Sequence, residues 1–164
     1  MRLKPVQKSK SRPSVLILGG GFAGISCAGQ LSDHSFDVCL VDQKPHFEFL
    51  PNIHEILSGV KRPRDVRLNL ADQMTAMGRS FTQASVLSIA PESKQVTLDD
   101  GTTLRYDFLV VALGAVDANY GVTGVDVNAF SFKSAAQCDA ISDRLRKLQA
   151  AAEASRVTII GAGI

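Results

Sequence analysis

Val15-Leu16-Ile17-Leu18-Gly19-Gly20-Gly21-Phe22-Ala23-Gly24 carries the strongest fold signal in the chain. An apolar run leads without a break into a turn with the spacing G-x-G-x-x-G, carried by Gly19, Gly21 and Gly24. A short, wholly apolar run before a turn is read as a buried strand. Residues 22–31 then place Ile25, Ala28 and Leu31 on one face of a helix. A second strand, 36–41, ends on the carboxylate of Asp42. Strand, glycine turn, helix, strand and acid in this order make a dinucleotide-binding unit. Gly19 lets the chain turn sharply off the strand. Gly21 lets a pyrophosphate approach the backbone, and Gly24 lets the helix pack closely on the sheet. The helix N-terminus, with Phe22 and Ala23 in its first turn, offers N–H groups and partial positive charge to the phosphates. Asp42 is placed to accept both hydroxyls of an adenine-side ribose and would repel a 2′-phosphate. The alternative is a tight strand–helix turn without a ligand. The strand before it and the acid after it favour the dinucleotide.

The far end of the chain repeats the opening. Arg156-Val157-Thr158-Ile159-Ile160-Gly161-Ala162-Gly163-Ile164 reads as a β-rich strand followed by G-x-G, and the third glycine of the spacing would fall beyond Ile164. The expectation is one complete dinucleotide unit and the first strand and turn of another. A coincidental glycine-rich end is the alternative, and the strand composition argues against it.

Length and composition set bounds. A chain of 164 residues, 45% hydrophobic and 21% charged, has room for one globular domain with a core. A net charge of +2 implies no nucleic-acid partner. Arg2, Lys4, Lys8, Lys10 and Arg12 stand near the start without an acid among them, beside Pro5 and Pro13. Residues 1–13 therefore read as a flexible basic tail. A basic tail ahead of an apolar stretch imitates a signal peptide. Here Gly19-Gly20-Gly21 interrupts the apolar stretch, and cleavage would destroy the fingerprint. No apolar run is long enough to span a membrane. Cys27, Cys39 and Cys138 form neither a C-x-x-C metal pattern nor a C-x-x-x-x-C redox pair. Cys27 and Cys39 read as buried small apolar residues in a reducing compartment. His46 and His54 have no ligand cluster around them, so no metal site is expected.

Further along, 46–59 begins irregularly, with a short helix near 52–58. Residues 66–77 read as a helix stopped by Gly78. Residues 81–90 read as one strand and Gln95–Leu98 as another. Asp99-Asp100-Gly101 makes a hairpin turn to 102–106, giving a three-stranded antiparallel meander. The apolar run 108–113 reads as a buried parallel strand. Residues 114–133 are loop-like. Ser134 caps a final helix, with Gln137 completing a capping box and Cys138, Ile141, Leu145, Leu148 and Ala152 forming its apolar stripe.

Three stretches converge on a family. The first is the glycine turn with Asp42. The second is Pro45-His46-Phe47-Glu48-Phe49-Leu50-Pro51-Asn52-Ile53-His54-Glu55-Ile56-Leu57-Ser58-Gly59. The third is Leu104-Arg105-Tyr106-Asp107-Phe108-Leu109-Val110-Val111-Ala112-Leu113-Gly114-Ala115. Together they resemble the FAD domain of the two-dinucleotide-binding flavoprotein oxidoreductases, and among these most of all type II NADH dehydrogenase, NADH:quinone oxidoreductase. That family tends to show F-x-P-x-x-x-[EQ]-x-x-[ST]-G after the acid, matched by Phe49, Pro51, Glu55, Ser58 and Gly59. It also shows Y-D-x-L-h-h-A-x-G, where h is apolar, matched by Tyr106, Asp107, Leu109, Val110, Val111, Ala112 and Gly114. Leu113 stands where the family usually has Thr, so a hydroxyl is missing there.

The resemblance implies an α/β, Rossmann-like FAD-binding domain with a parallel sheet and a three-stranded meander, cut off at the start of a second Rossmann unit. Its parts would be a tail, 1–13, an FAD domain, 14–133, and a connecting helix with the first strand and turn of an NAD(P) domain, 134–164. Gly19, Gly21, Phe22, Ala23 and Gly24 would meet the FAD pyrophosphate, with Asp42 on the ribose and Gln43 and Lys44 flanking it. Val86 would offer backbone groups to the adenine. Ala112, Leu113 and Gly114 would close over the pyrophosphate, and Pro51 would approach the isoalloxazine. Tyr106 and Asp107 are better read as ending the meander. No residue is expected to be catalytic.

In full-length relatives NADH would reduce the flavin and a quinone would take the electrons. The implied location is cytoplasmic, peripheral to the inner face of the membrane in those relatives. The apolar face that would meet missing domains is expected to favour self-association. The absent C-x-x-x-x-C pair excludes the disulfide reductases and disfavours a sulfide:quinone reductase. A single-Rossmann dehydrogenase is disfavoured, because neither Tyr106 nor Tyr120 starts a Y-x-x-x-K motif. A non-catalytic FAD-domain fragment, or a reductase with another acceptor, remains the alternative.

Overall fold

The computed structural model describes residues 12–31, 35–151 and 154–161. Most of the expected basic tail therefore lies outside the described residues, as does Ala152. In chain order the elements are β1 (Ser14–Leu18), α1 (Phe22–Gln30), β2 (Asp37–Asp42), β3 (His46–Glu48), α2 (His54–Leu57), β4 (Arg67–Asn69), α3 (Leu70–Ala76), β5 (Ser80–Gln83), β6 (Val86–Ala90), β7 (Gln95–Leu98), β8 (Thr103–Arg105), β9 (Phe108–Val111), α4 (Val125–Asn128) and α5 (Ala135–Ala150). Short 3-10 turns occupy Leu50–Asn52 and Pro63–Val66. The chain divides into two compact units. Unit 1 comprises Met1–Phe47 and Leu68–Val116, and unit 2 comprises Glu48–Arg67 and Asp117–Ile164.

Unit 1 is built on a parallel sheet in the order β5-β2-β1-β9. Alternation along β1 sorts its side chains to two faces. Val15 and Ile17 join Ala28, Val38, Leu40, Phe47, Leu70 and Met74, so α1 and α3 cover that face. Leu16 and Leu18 join Val41, Val96, Leu98 and Tyr106 on the other, under the antiparallel sheet β6-β7-β8. Burial on both faces is what the unbroken apolar run demands. The meander turns at Asp99-Asp100-Gly101, where Gly101 has φ +83° and the Asp100 carboxylate accepts from the Thr102 N–H at 2.8 Å. Helix α1 ends at Gln30, and the Arg79 guanidinium takes up the carbonyls of Ala28 and Leu31 beyond its last turn.

Several expectations change. Residues 81–90 are two strands rather than one. The Ala84 N–H donates to the Asp42 carbonyl and the Ser85 carbonyl accepts from the Asp99 N–H, so the chain crosses there from one sheet to the other. The helix expected over 66–77 begins only at Leu70, because Asn69 caps it by accepting from the Asp72 N–H at 3.1 Å. The segment ahead of it is β4, which pairs with β3, so residue 46 starts a strand instead of an irregular stretch. Strand β9 is not buried. Among the described residues it has a partner on one side only, β1, and Phe108 and Val111 are 57% and 60% exposed. Cys27 and Cys39 are half-buried, whereas Cys138 is buried.

Unit 2 has a small core of Ile53, Ile56, Val66, Ala135 and Cys138. Its polar centre is Glu48, whose side chain is only 7% exposed. Arg67 donates to its Oε1 from Nε at 3.0 Å and from Nη2 at 2.8 Å. The other oxygen accepts from the Ala135 N–H at 3.3 Å, so a carboxylate sits at the N-terminus of α5. Ser134 caps the helix as expected, accepting from the Gln137 N–H at 3.2 Å. Gln137 reaches back one residue too far for a capping box, accepting from the Lys133 N–H at 2.7 Å. The expected strand over 156–160 joins no sheet among the described residues. Without a ladder its apolar side chains stay exposed, Ile159 at 85%. Gly161 has φ +87°, in the same left-handed range as Gly19.

Candidate dinucleotide-binding site

The glycine turn joins β1 to α1. Gly19 has φ +108°, and a Cβ there would lie 2.3 Å from the Ala112 carbonyl oxygen. Its N–H donates to the Val41 carbonyl at 2.8 Å. The turn therefore leaves the sheet wedged between the ends of β2 and β9, a place where only glycine fits. A Cβ on Gly24 would lie 1.8 Å from the Gly19 carbonyl oxygen, so Gly24 lets the start of α1 close onto the turn itself.

Gly21 differs from both. It is exposed, its φ of −81° is ordinary, and a Cβ there would meet nothing within 4 Å. No contact among the described residues requires glycine at this position. It occupies the N-cap of α1, and no side chain caps the helix. An uncapped N-terminus with open space before it is suited to an anion. Phe22 and Ala23 follow, both exposed, and Phe22 meets Phe47 edge-on with ring centroids 4.9 Å apart.

Asp42 lies directly beneath. Its Oδ2 accepts from the Gly20 N–H at 2.6 Å and its Oδ1 from the Lys44 N–H at 2.8 Å. Gln43 and Lys44 are exposed, and the Gln43 carbonyl accepts from Gln83 Nε2 at 3.3 Å. Ala112 continues the β9 register, its N–H donating to the Leu18 carbonyl at 2.8 Å. Leu113 is 64% exposed, and Gly114 turns the chain with φ +75°. Val86 opens β6 opposite Leu98 and is half-buried on the meander side.

Unit 1 thus brings Gly19, Gly21, Gly24 and Asp42 to one end of the sheet, with Ala112 beside Gly19. Pro51 belongs to unit 2, in the 3-10 turn Leu50–Asn52, and is exposed. Tyr106 is buried in the core. Asp107 is committed to Ser14, accepting from its N–H at 2.7 Å and from its hydroxyl at 2.9 Å. The Ser14 backbone N–H, then its hydroxyl, hold the Asp107 carboxyl below its ordinary value. Two participants escaped the sequence reading. Gly20 is buried and bonded to Asp42, and Leu70 packs against it from α3. The run of three glycines was a visible signal for Gly20. Leu70 had none, because its contact joins remote parts of the chain.

The chain is similar to known proteins over most of its length. Residues 13–164 match the family described as Pyridine nucleotide-disulphide oxidoreductase. Demethylphylloquinone reductase NdbB of Synechocystis sp. is 30% identical over 164 residues, which cover 93% of this chain and 41% of that protein. Alternative NAD(P)H-ubiquinone oxidoreductase C1, chloroplastic/mitochondrial, of Arabidopsis thaliana is 31% identical over 175 residues, covering 93% of this chain and 34% of that protein. The chain therefore spans well under half the length of either relative. The sulfide:quinone oxidoreductase structure from Aquifex aeolicus matches with a TM-score of 0.78 at 27% identity, over 84% of this chain and 32% of that one. The structure of NDH2 from Plasmodium falciparum in complex with NADH shares the fold, with a TM-score of 0.76 at 21% identity over 85% of this chain and 30% of that one. No helix among the described residues is long and apolar enough to cross a membrane.

Proposed function

The chain belongs to the pyridine nucleotide-disulphide oxidoreductase family, and from that premise we propose that unit 1 holds FAD through its glycine turn. The observation that carries this reading is Gly21. Gly19 and Gly24 are explained by contacts within the protein, but a side chain at Gly21 would meet nothing within 4 Å among the described residues. A diphosphate approaching the backbone is what such a glycine serves. The N–H groups at the start of α1 would then meet the phosphates. Asp42 would present its remaining lone pairs to the ribose hydroxyls, and its charge would disfavour a 2′-phosphate. Ala112, Leu113 and Gly114 would border the diphosphate, Leu113 without offering a hydroxyl. Gln43 and Lys44 would flank the ribose, and the Val86 backbone would face the adenine.

FAD, when bound, supplies the redox chemistry: it takes a hydride equivalent from a nicotinamide and yields electrons to an acceptor. The residues of this chain bind and orient it. The named relatives favour NADH or NADPH as donor and a quinone as acceptor for the longer protein of which this chain resembles the N-terminal part. The test is FAD titration of the wild-type chain against Gly21→Val. The variant should keep its fold, with a small drop in thermal midpoint from a branched residue at the N-cap, and lose FAD affinity by at least about tenfold, since the side chain would enter the diphosphate's approach. Equal affinities would end the assignment. NADH oxidation by the same FAD-loaded chain separates an active protein from a cofactor-holding fragment.

A further inference from the structure

We propose that Asp42 and Leu70 are positioning residues that hold the glycine turn in its ligand-competent shape before any ligand arrives. This rests on the dinucleotide reading above and goes beyond it. An acid at the end of the second strand is expected to act by touching the ribose. Here the Asp42 carboxylate is already engaged by the protein. One oxygen takes the Gly20 N–H at 2.6 Å and the other takes the Lys44 N–H at 2.8 Å. The Gly20 amide is drawn inward, toward the end of β2, while Gly21 beside it stays exposed.

Leu70 completes the seat. It is fully buried, and its Cδ1 lies 2.5 Å from where a Cβ on Gly20 would stand, with Asp42 Oδ2 at 3.3 Å from the same point. Leu70 is itself fixed. It opens α3 after the Asn69 cap, and its N–H donates to the Pro45 carbonyl at 3.0 Å. The turn is thus clamped by a charge-assisted hydrogen bond and a packed side chain from remote parts of the chain. A loop held in its bound shape loses less entropy on binding, so affinity depends on the clamp on the turn as well as on direct contacts to the ligand.

The test separates positioning from ribose contact. Amide hydrogen exchange of the ligand-free chain is measured first, on the wild type, Asp42→Asn, Leu70→Val and Leu70→Met. Inorganic pyrophosphate, which lacks a ribose, and ADP, which has one, are then titrated into each. Asp42→Asn leaves one neutral acceptor oxygen for two N–H groups, so it should lower the protection of the Gly20 amide while the amides of β1 and β2 keep theirs. It should weaken pyrophosphate, which has no ribose to touch, about tenfold, the scale of one charge-assisted hydrogen bond, and ADP by at least as much. Leu70→Val should weaken both ligands, and Leu70→Met, which keeps the volume, should restore them. Weaker ADP with unchanged pyrophosphate in Asp42→Asn would overturn the proposal, leaving Asp42 a ribose contact only. If the wild type took neither ligand, the dinucleotide reading would fall instead. The positioning claim would then stand with loss of Gly20 protection in Asp42→Asn and fall with protection unchanged.

Discussion

Asp42 in unit 1 and Glu48 in unit 2 both hold backbone N–H groups at the start of a helical segment, but in different surroundings. Asp42 sits at the edge of a double apolar core and accepts two backbone N–H groups from the glycine turn and from its own turn. Glu48 lies within a unit whose core is five residues, and it joins a guanidinium to the N-terminus of α5. In unit 1 apolar burial sets the architecture and the acid refines the shape of one loop. In unit 2 there is little apolar area to share, so a nearly buried ion pair ties the segments together. The two carboxylates should therefore differ in what their removal breaks: local shape in one unit, assembly in the other.

The largest expected effect tests the apolar half of this contrast. Leu40→Ala empties a fully buried site in the central sheet. It should cost about 2–5 kcal/mol by denaturant unfolding, through lost transfer energy and a cavity. Glu48→Gln should come next. It leaves Arg67 without its anion and α5 without a charge at its N-terminus. Because Arg67 is 31% exposed and can turn to water, the cost should be about 1–3 kcal/mol, below that of a fully buried pair. A larger loss for Glu48→Gln than for Leu40→Ala would reverse the comparison.

A third expectation concerns acid. Hydrogen bonds lower the carboxyls of Asp107 in unit 1, through Ser14 first, and of Asp117 in unit 2, through the Ser131 hydroxyl first, below the ordinary 3.8. A carboxyl lowered on folding contributes stability above its unfolded value. That contribution is lost as pH falls through the folded value. The stability gap between wild type and Asp107→Asn, or Asp117→Asn, should therefore be constant above about pH 5 and shrink below 3.8. A gap that grew on acidification would contradict the lowered values. Both groups are exposed, so the change should be small.

Thiol labelling gives a finer comparison. Burial first, then the charges of Asp139 and Glu48, push the Cys138 thiol above its usual range. In the folded chain Cys138 should alkylate more slowly than the half-buried Cys27 and Cys39, and should need a higher pH than an ordinary thiol. Quantitative mass spectrometry of the labelled peptides reads this directly, and fast labelling of Cys138 near neutral pH would show an open unit 2 core. The smallest effect belongs to the exposed Arg146–Asp143 pair on α5. Asp143→Ala should shift stability by no more than about 0.5 kcal/mol.

Much of the candidate site was legible in the residues themselves. Gly19, Gly21, Gly24 and Asp42 carry their meaning in spacing, and the structure gathers all four at one end of the sheet. Residues beneath the turn were not legible. Leu70 looks like any apolar residue of a helix, and only the packing of α3 puts it against Gly20. The exposure of Phe108 and Val111 was hidden for a similar reason, since an apolar run reads alike at the centre and at the edge of a parallel sheet.

The features that neighbouring residues encode are local: the first strand, the glycine turn, the helix after it, the Asp99-Asp100-Gly101 turn and the Ser134 cap. Each rests on a period, a backbone conformation or a cap that a few neighbouring residues encode. Tertiary structure alone decided the division of 81–90 between two sheets, the edge position of β9, the seat of Gly20 on Leu70 and the junction of Glu48 with Arg67 and α5. Those outcomes depend on which remote segment completes a ladder, fills a space or neutralises a charge. That choice is made by the free energy of the whole packed unit, and no window along the chain contains it.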